Sequence, residues 1–118
     1  MIELTDDNYN SIISTDKPIF IDFYSPGCGP CQTLSKIMEI VDKYAEDKDI
    51  LICKCNTFNN QKIAKKYMIR SVPMTCVVDL DKNIKDVEIG LKDQSYYISI
   101  VDKYTKKKNK GFFGSIFG

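Results

Sequence analysis

Hydrophobic positions recur along this chain with two different spacings, and together they predict alternating strands and helices. Short apolar runs predict strands near residues 2–4, at 19–24 and at 50–55. Apolar residues three and four apart predict helices at about 6–14, 30–47 and 59–67. After Pro73, two further strands at 74–80 and 84–89 form a hairpin, and a last helix begins near Asp93.

This order of elements predicts an α/β fold. The early alternation of strands and helices requires parallel strands joined by crossover helices. The late hairpin adds antiparallel strands, which we expect at an edge of the sheet. The prediction is therefore a mixed five-stranded sheet with helices on both faces.

Two charged residues interrupt the apolar runs. Asp22 lies within the strand at 19–24, and Lys54 lies within the strand at 50–55. One interpretation of Asp22 is an exposed strand end. The other is a buried acid with a chemical function, since a carboxylate is costly to bury without one.

Composition and charge limit the class of protein. A chain of 118 residues that is 43% hydrophobic is expected to form one domain with a real core. The net charge is +1, and residues 106–118 carry four lysines and no acid, so residues 1–105 carry 1 − 4 = −3. An acidic body is not typical of a nucleic-acid binder. We expect a domain at 1–105 and a basic, phenylalanine-containing tail at 106–118.

The tail admits three interpretations. It could be free or folded onto the chain's own surface, it could dock on a partner, or it could contact an anionic membrane through its lysines. No apolar run reaches the roughly 18 residues of a membrane span. The acidic N-terminus lacks the pattern of a secretory signal, so we expect the chain in the cytoplasm.

The cysteine count favours a reducing compartment. Five cysteines are an odd number, and histidine is absent, which excludes Cys-His catalysis and histidine-containing zinc sites. Cys53 and Cys55 would lie about 7 Å apart on one strand face, a poor zinc knuckle. We interpret Cys53, Cys55 and Cys76 as small buried hydrophobes, with a secondary redox or regulatory role as the alternative. No metal or other cofactor is expected.

The remaining two cysteines, Cys28 and Cys31, form a candidate redox centre. Cys28 falls where a buried strand gives way to a helix, and the helix dipole should lower its thiol pKa below about 8.5. Cys31 follows one turn later and can reach back, while Gly29 and Pro30 keep the loop short. Cys28 could attack a disulfide, and Cys31 could then release the product and leave a Cys28–Cys31 bond.

With these motifs in order, the sequence resembles the thioredoxin family over residues 2–104. The resemblance is carried by the segments 22–24, 28–31, 54–56 and 67–73 and by Gly90. It implies the thioredoxin fold and reduction of protein disulfides. It also implies disulfide-containing substrate proteins, an NADPH- or ferredoxin-linked thioredoxin reductase, and a monomer.

The resemblance implies roles for individual residues. Asp22 would take the proton from Cys31 through water, with Lys54 as its buried partner. Pro73 would be cis, and Val72 would offer backbone groups to a bound substrate chain. The full substrate surface would comprise Gly27, Gly29, Pro30, Val72, Pro73, Met74 and Gly90.

Three residues depart from the family pattern. Gly27 stands where tryptophan is usual, Met74 where threonine is usual, and Phe58 where an acid is common. All three lie around the expected substrate surface. They suit an alternative function as a specialised electron donor to one partner enzyme. A binding or scaffold subunit with the same fold is a further alternative.

Overall fold

The computed structural model describes residues 1–105, which form a five-stranded sheet with four helices. The strands are β1 (Ile2–Glu3), β2 (Ile19–Tyr24), β3 (Leu51–Asn56), β4 (Met74–Val78) and β5 (Ile84–Ile89). The helices are α1 (Tyr9–Ile13), α2 (Gly29–Ala45), α3 (Gln61–Lys66) and α4 (Gln94–Thr105). The tail at 106–118 lies outside the described residues. No helix in the described range is long and apolar enough to cross a membrane.

The sheet is mixed, and its spatial order is β1-β3-β2-β4-β5. β3 pairs in parallel with β1 and β2, whereas β4 is antiparallel to β2 and β5 is antiparallel to β4. The expectation that both hairpin strands lie at an edge is wrong. Every residue of β4 is buried because β4 lies between β2 and β5, so of the two hairpin strands β5 alone forms an edge.

Helices cover both faces of the sheet, as predicted. On one face, α1 and α3 pack over a core that contains Cys53, Cys55 and Cys76. On the other face, α2 and α4 pack over Phe20 and Val77. The three cysteines are fully buried, which confirms their interpretation as small core residues.

Side-chain caps explain where several elements begin and end. The first helix begins at Tyr9 rather than residue 6 because Thr5 and Asn8 exchange hydrogen bonds across the preceding turn. The Asp6 carboxylate accepts instead from the N–H groups of Lys62 and Ile63, and so caps α3. A local sequence pattern could not reveal this contact across the chain.

The fourth strand ends at Val78, two residues earlier than predicted. The Asp79 carboxylate accepts hydrogen bonds from the N–H groups of Asp81 and Asn83 and begins the hairpin turn. α2 likewise ends at Ala45 rather than residue 47.

Candidate active site

Cys28 and Cys31 lie at the N-terminus of α2, directly after the central strand β2. Cys28 is the N-cap residue with extended backbone, and Pro30 occupies the first turn, where its missing N–H is tolerated. The two cysteines form a disulfide with their Cα atoms 5.2 Å apart. The Cys31 N–H donates to Cys28 Sγ at 3.2 Å, so the helix terminus directs a backbone donor at this sulfur.

The two sulfurs differ in their access to another molecule. Cys28 is half-buried and belongs to an open loop, whereas Cys31 is only 3% exposed. An incoming disulfide can therefore approach Cys28 but not Cys31. This asymmetry assigns different chemistry to the two positions.

Asp22 lies in the middle of β2 and is 2% exposed, so the interpretation of it as an exposed strand end is wrong. Burial raises its pKa from 3.8 to about 7, and the positive charge of Lys54 partly opposes the rise. Asp22 and Cys31 line the same cavity of about 260 Å³. A cavity of this size that is bordered by the polar side chains of Asp22, Gln32 and Ser35 can hold water between the carboxyl and the sulfur.

Lys54 does not have the buried position that we expected. Its side chain is 36% exposed and forms an ion pair with Glu3 at 3.8 Å. Glu3 lies directly opposite Lys54 on β1, and Asp22 lies directly opposite it on β2. The Tyr24 hydroxyl also donates to Glu3 at 3.1 Å. Lys54 is therefore drawn toward the sheet edge by Glu3, although it still borders the cavity.

The segment around Pro73 approaches the disulfide from the other side. The Val72–Pro73 peptide bond is cis, as the resemblance implies. The Val72 carbonyl oxygen lies 3.9 Å from Cys28 Sγ. Gly90 donates its N–H to the Pro73 carbonyl at 2.8 Å, which ties Gly90 to the segment that approaches Cys28. Met74 follows as the first residue of β4 and is buried.

The rim in front of Cys28 differs from the family pattern for a backbone reason. Gly27 has a φ of +75°, a conformation that residues with a side chain adopt only with strain. Tryptophan at this position would therefore strain the turn. Gly29 and Pro30 are exposed beside Gly27 on the same rim.

A groove of about 290 Å³ runs from Val72 toward α3. Phe58 lines it and is 70% exposed, and Arg70 brings a positive charge to it. The groove walls contain no acidic residue among those the structure describes. It adjoins the Val72 backbone.

The sequence interpretation missed Glu3 and Thr75. Both lie in the row of residues that crosses the sheet through Asp22. The only local signal was a polar residue between apolar neighbours, which is equally typical of an ordinary strand. Within residues 1–105, no group of three Cys, Asp or Glu side chains is arranged to hold a metal ion.

Comparison with known proteins assigns this arrangement to one family. A family model described as Thioredoxin matches residues 1–103. A thioredoxin of Rickettsia prowazekii (strain Madrid E) is 32% identical over 101 residues, which is 85% of this chain and 94% of that protein. A thioredoxin of Pyropia yezoensis is 33% identical over 104 residues, covering 86% and 94%. The chloroplastic M-type thioredoxin of Triticum aestivum is 34% identical over 97 residues, covering 80% and 53%.

Proposed function

Since this chain belongs to the thioredoxin family and is a thiol–disulfide oxidoreductase, we propose that Cys28 and Cys31 divide its reaction into an attack and a resolution. The observation that carries the proposal is the unequal exposure of the two residues at one helix N-terminus. An exposed thiolate is suited to meet a substrate disulfide. A shielded thiol is suited to act only after the substrate is attached.

The first step consumes the reduced, dithiol form. The Cys28 thiolate, stabilised by the helix dipole and the Cys31 N–H, attacks one sulfur of the substrate disulfide. The substrate disulfide breaks, one substrate thiolate leaves, and a mixed disulfide joins Cys28 to the other substrate sulfur. No net oxidation occurs in this step, because one disulfide replaces another.

In the second step, Cys31 loses its proton to Asp22 through water in the shared cavity. The Cys31 thiolate attacks Cys28 Sγ, the mixed disulfide breaks, and the second substrate thiolate leaves and takes up a proton. The substrate has gained two electrons, and the protein holds the Cys28–Cys31 disulfide. A pKa of about 7 makes the Asp22 carboxyl able to accept and return a proton at neutral pH.

Lys54 and the substrate surface complete the proposal. Lys54 supplies positive charge near Asp22, which favours the ionised carboxylate. The Val72 backbone offers its groups to the substrate chain like an added strand, and Gly90 fixes the adjacent Pro73 through its hydrogen bond to the Pro73 carbonyl. Met74, paired on both sides within β4, lies behind this surface rather than on it. Gly27, Gly29 and Pro30 form the opposite rim.

The order of attack can be tested by trapping the intermediate. Cys31→Ser keeps the exposed nucleophile but removes the resolving thiol, so we expect a stable mixed disulfide with insulin or a disulfide peptide. Mass spectrometry of the non-reduced protein should show an adduct that dithiothreitol releases. Cys28→Ser is the matched control and should form little adduct. Preferential trapping on Cys31 in Cys28→Ser would reverse the assignment.

The family implies disulfide-bonded protein substrates and a reductase that restores the dithiol. We further propose that the chain acts as a monomer in the cytoplasm and receives electrons from an NADPH- or ferredoxin-linked reductase. Three free cysteines beside one redox pair support a reducing compartment. Coupled assays that follow NADPH oxidation with candidate reductases would identify the electron source.

A specialised donor that serves one partner enzyme is the second candidate. Two observations favour it: exposed Phe58 lines the groove beside Val72 where an acid is usual, and Gly27 stands before Cys28 where tryptophan is usual. An apolar rim selects for partners that cover it with apolar residues.

We expect Phe58→Asp to raise the KM for insulin roughly tenfold and to leave kcat nearly unchanged, because a phenylalanine buried by a partner contributes about 1.5 kcal/mol or more. Steady-state insulin reduction would measure both constants. Met68→Asp is the matched control, since Met68 is also 70% exposed but does not line the groove. An equal change in KM for both variants would show that the groove has no special role.

We also propose that residues 1–105 are the folding unit and that residues 106–118 are an appendage. The last described helix ends at Thr105, and its buried residues belong to the core of the sheet. Co-sedimentation with anionic liposomes, with and without residues 106–118, tests whether the lysines and phenylalanines contact a membrane.

A further inference from the structure

A row of polar side chains crosses the whole sheet at the level of Asp22. Strand register places the following residues opposite one another in succession: Glu3, Lys54, Asp22, Thr75 and Glu88. Directly opposite residues on paired strands share a face, so this row lies on the face covered by α2 and α4. Apolar residues surround its centre.

The outer members of the row already have partners. Lys54 pairs with Glu3 at one edge of the sheet. Glu88 pairs with Lys92 at 3.3 Å near the other edge. The two central residues, Asp22 and Thr75, are thus the members of the row without an ion-pair partner of their own within residues 1–105.

Asp22 and Thr75 are the most buried members of the row, at 2% and 1% exposure. Asp22 Oδ1 and Thr75 Oγ1 are each without a hydrogen-bond partner among the described residues. The Cβ atoms of opposite residues on antiparallel strands lie about 5 Å apart, a separation that one bridging water can span. Two unpaired buried oxygens at this distance are costly unless they share such a water.

We propose that Thr75 is a positioning residue for the proton-transfer step, and that its hydroxyl donates to one water that in turn donates to the Asp22 carboxylate. The inference rests on the proposed role of Asp22 as the base for Cys31. A water that donates to a carboxylate forms a charge-assisted bond, which is stronger than its bond to a neutral carboxyl. Thr75 therefore favours the ionised, proton-accepting form of Asp22.

Other groups around Asp22 do not replace this donor. Lys54 on β3 acts from the cavity side but pairs with Glu3. Tyr97 on α4 is buried on the same face, and its hydroxyl accepts from the Lys92 N–H. Cys31 on α2 is the acid whose proton Asp22 receives, and Glu88 on β5 lies beyond Thr75.

The test compares Thr75→Val, which keeps the shape and removes the hydroxyl, with Thr75→Ser, which keeps the hydroxyl. The Asp22 carboxyl is titrated by ¹³C NMR in the oxidised full-length protein. We expect its pKa to rise by about one unit in Thr75→Val and by much less in Thr75→Ser. The pH at which the resolution rate is half-maximal should rise by the same amount in Thr75→Val. Should Thr75→Val not fold, Thr75→Ala removes the same hydroxyl.

Two results would overturn the proposal. One is an unchanged Asp22 titration in Thr75→Val together with a raised melting temperature, which would show that the hydroxyl was merely an unpaired core group. The other is an equal shift in Thr75→Val and Thr75→Ser. Asp22→Asn, measured in parallel, separates this failure from a failure of the proposed function. If Asp22→Asn resolves the mixed disulfide at the wild-type rate, the proposed role of Asp22 is excluded. The titration of the Asp22 carboxyl in the Thr75 variants does not depend on that rate, so it tests the hydrogen bond separately.

Discussion

Replacing Cys28 with serine is expected to lower the rate of insulin disulfide reduction by about three orders of magnitude or more, because the other four cysteines, all within residues 1–105, are buried. Cys28 is the half-buried sulfur at the rim, and Cys31 is shielded behind it. A serine hydroxyl stays protonated at neutral pH, so it cannot replace a thiolate that the helix terminus stabilises. Turbidity of precipitating insulin, with dithiothreitol as reductant, measures the rate.

Cys76→Ala is the control for a general effect of losing a thiol. Cys76 is fully buried, and burial raises its pKa to about 12, so it carries no thiolate at neutral pH. We expect this variant to reduce insulin at nearly the wild-type rate once its folding is verified. Loss of activity in folded Cys76→Ala would implicate a second redox site in the core.

The same Cys28→Ser variant distinguishes an oxidoreductase from a scaffold. A scaffold needs the surface of the fold but not the thiol, whereas an electron carrier needs both. Full rescue of a strain that lacks this protein by Cys28→Ser would favour the scaffold. Failure to rescue, with normal protein abundance, would support the redox function.

Asp22→Asn is expected to slow resolution of the mixed disulfide by about 100-fold or more and to leave the first attack unchanged. The carboxyl shares a cavity with Cys31, and the amide that replaces it cannot accept the proton. Rapid-quench single-turnover experiments at pH 7 would show the mixed disulfide accumulating. The difference should shrink at high pH, where hydroxide can take the Cys31 proton in place of Asp22. Equal second-step rates in mutant and wild type would exclude this role.

The pH dependence of the free energy of unfolding is the control for this variant. Whether stability rises or falls with pH follows from the pKa of Asp22. The folded-state pKa of about 7 lies above the ordinary 3.8, so the native state binds the proton more tightly than the unfolded state. The buried carboxylate therefore destabilises the fold as pH rises from about 4 through 7, by up to about 4 kcal/mol. Asp22→Asn should be more stable than wild type at pH 8, with the difference vanishing near pH 4. Slow resolution in this variant would thus not reflect unfolding.

Much of this protein follows from local sequence. The run from Ile19 to Tyr24 is apolar enough to form the central strand, and its bounds match the prediction. The position of Pro30 and the helical spacing after it place Cys28 and Cys31 at a helix N-terminus. These features depend on periodicity and on turn chemistry within a few residues. The redox pair could therefore be predicted before any contact was known.

The neighbours of Asp22 could not be predicted in the same way. A local pattern does not contain strand register, and register brings Glu3 opposite Lys54 and Thr75 opposite Asp22. Lys54 was expected to be buried against Asp22, but β1 adds Glu3 beside it and draws its charge outward. The position of β4 inside the sheet likewise depends on its pairing with β2.

Local patterns along the chain thus sufficed for the elements, the redox pair and the carboxylate in the central strand. The depth at which that carboxylate is buried, the charges that face it and the unequal access to the two sulfurs follow from the packed fold. Helix and strand formation depend on near neighbours. Desolvation and electrostatic pairing depend on residues that are distant in the chain and are brought together by the packing of the sheet.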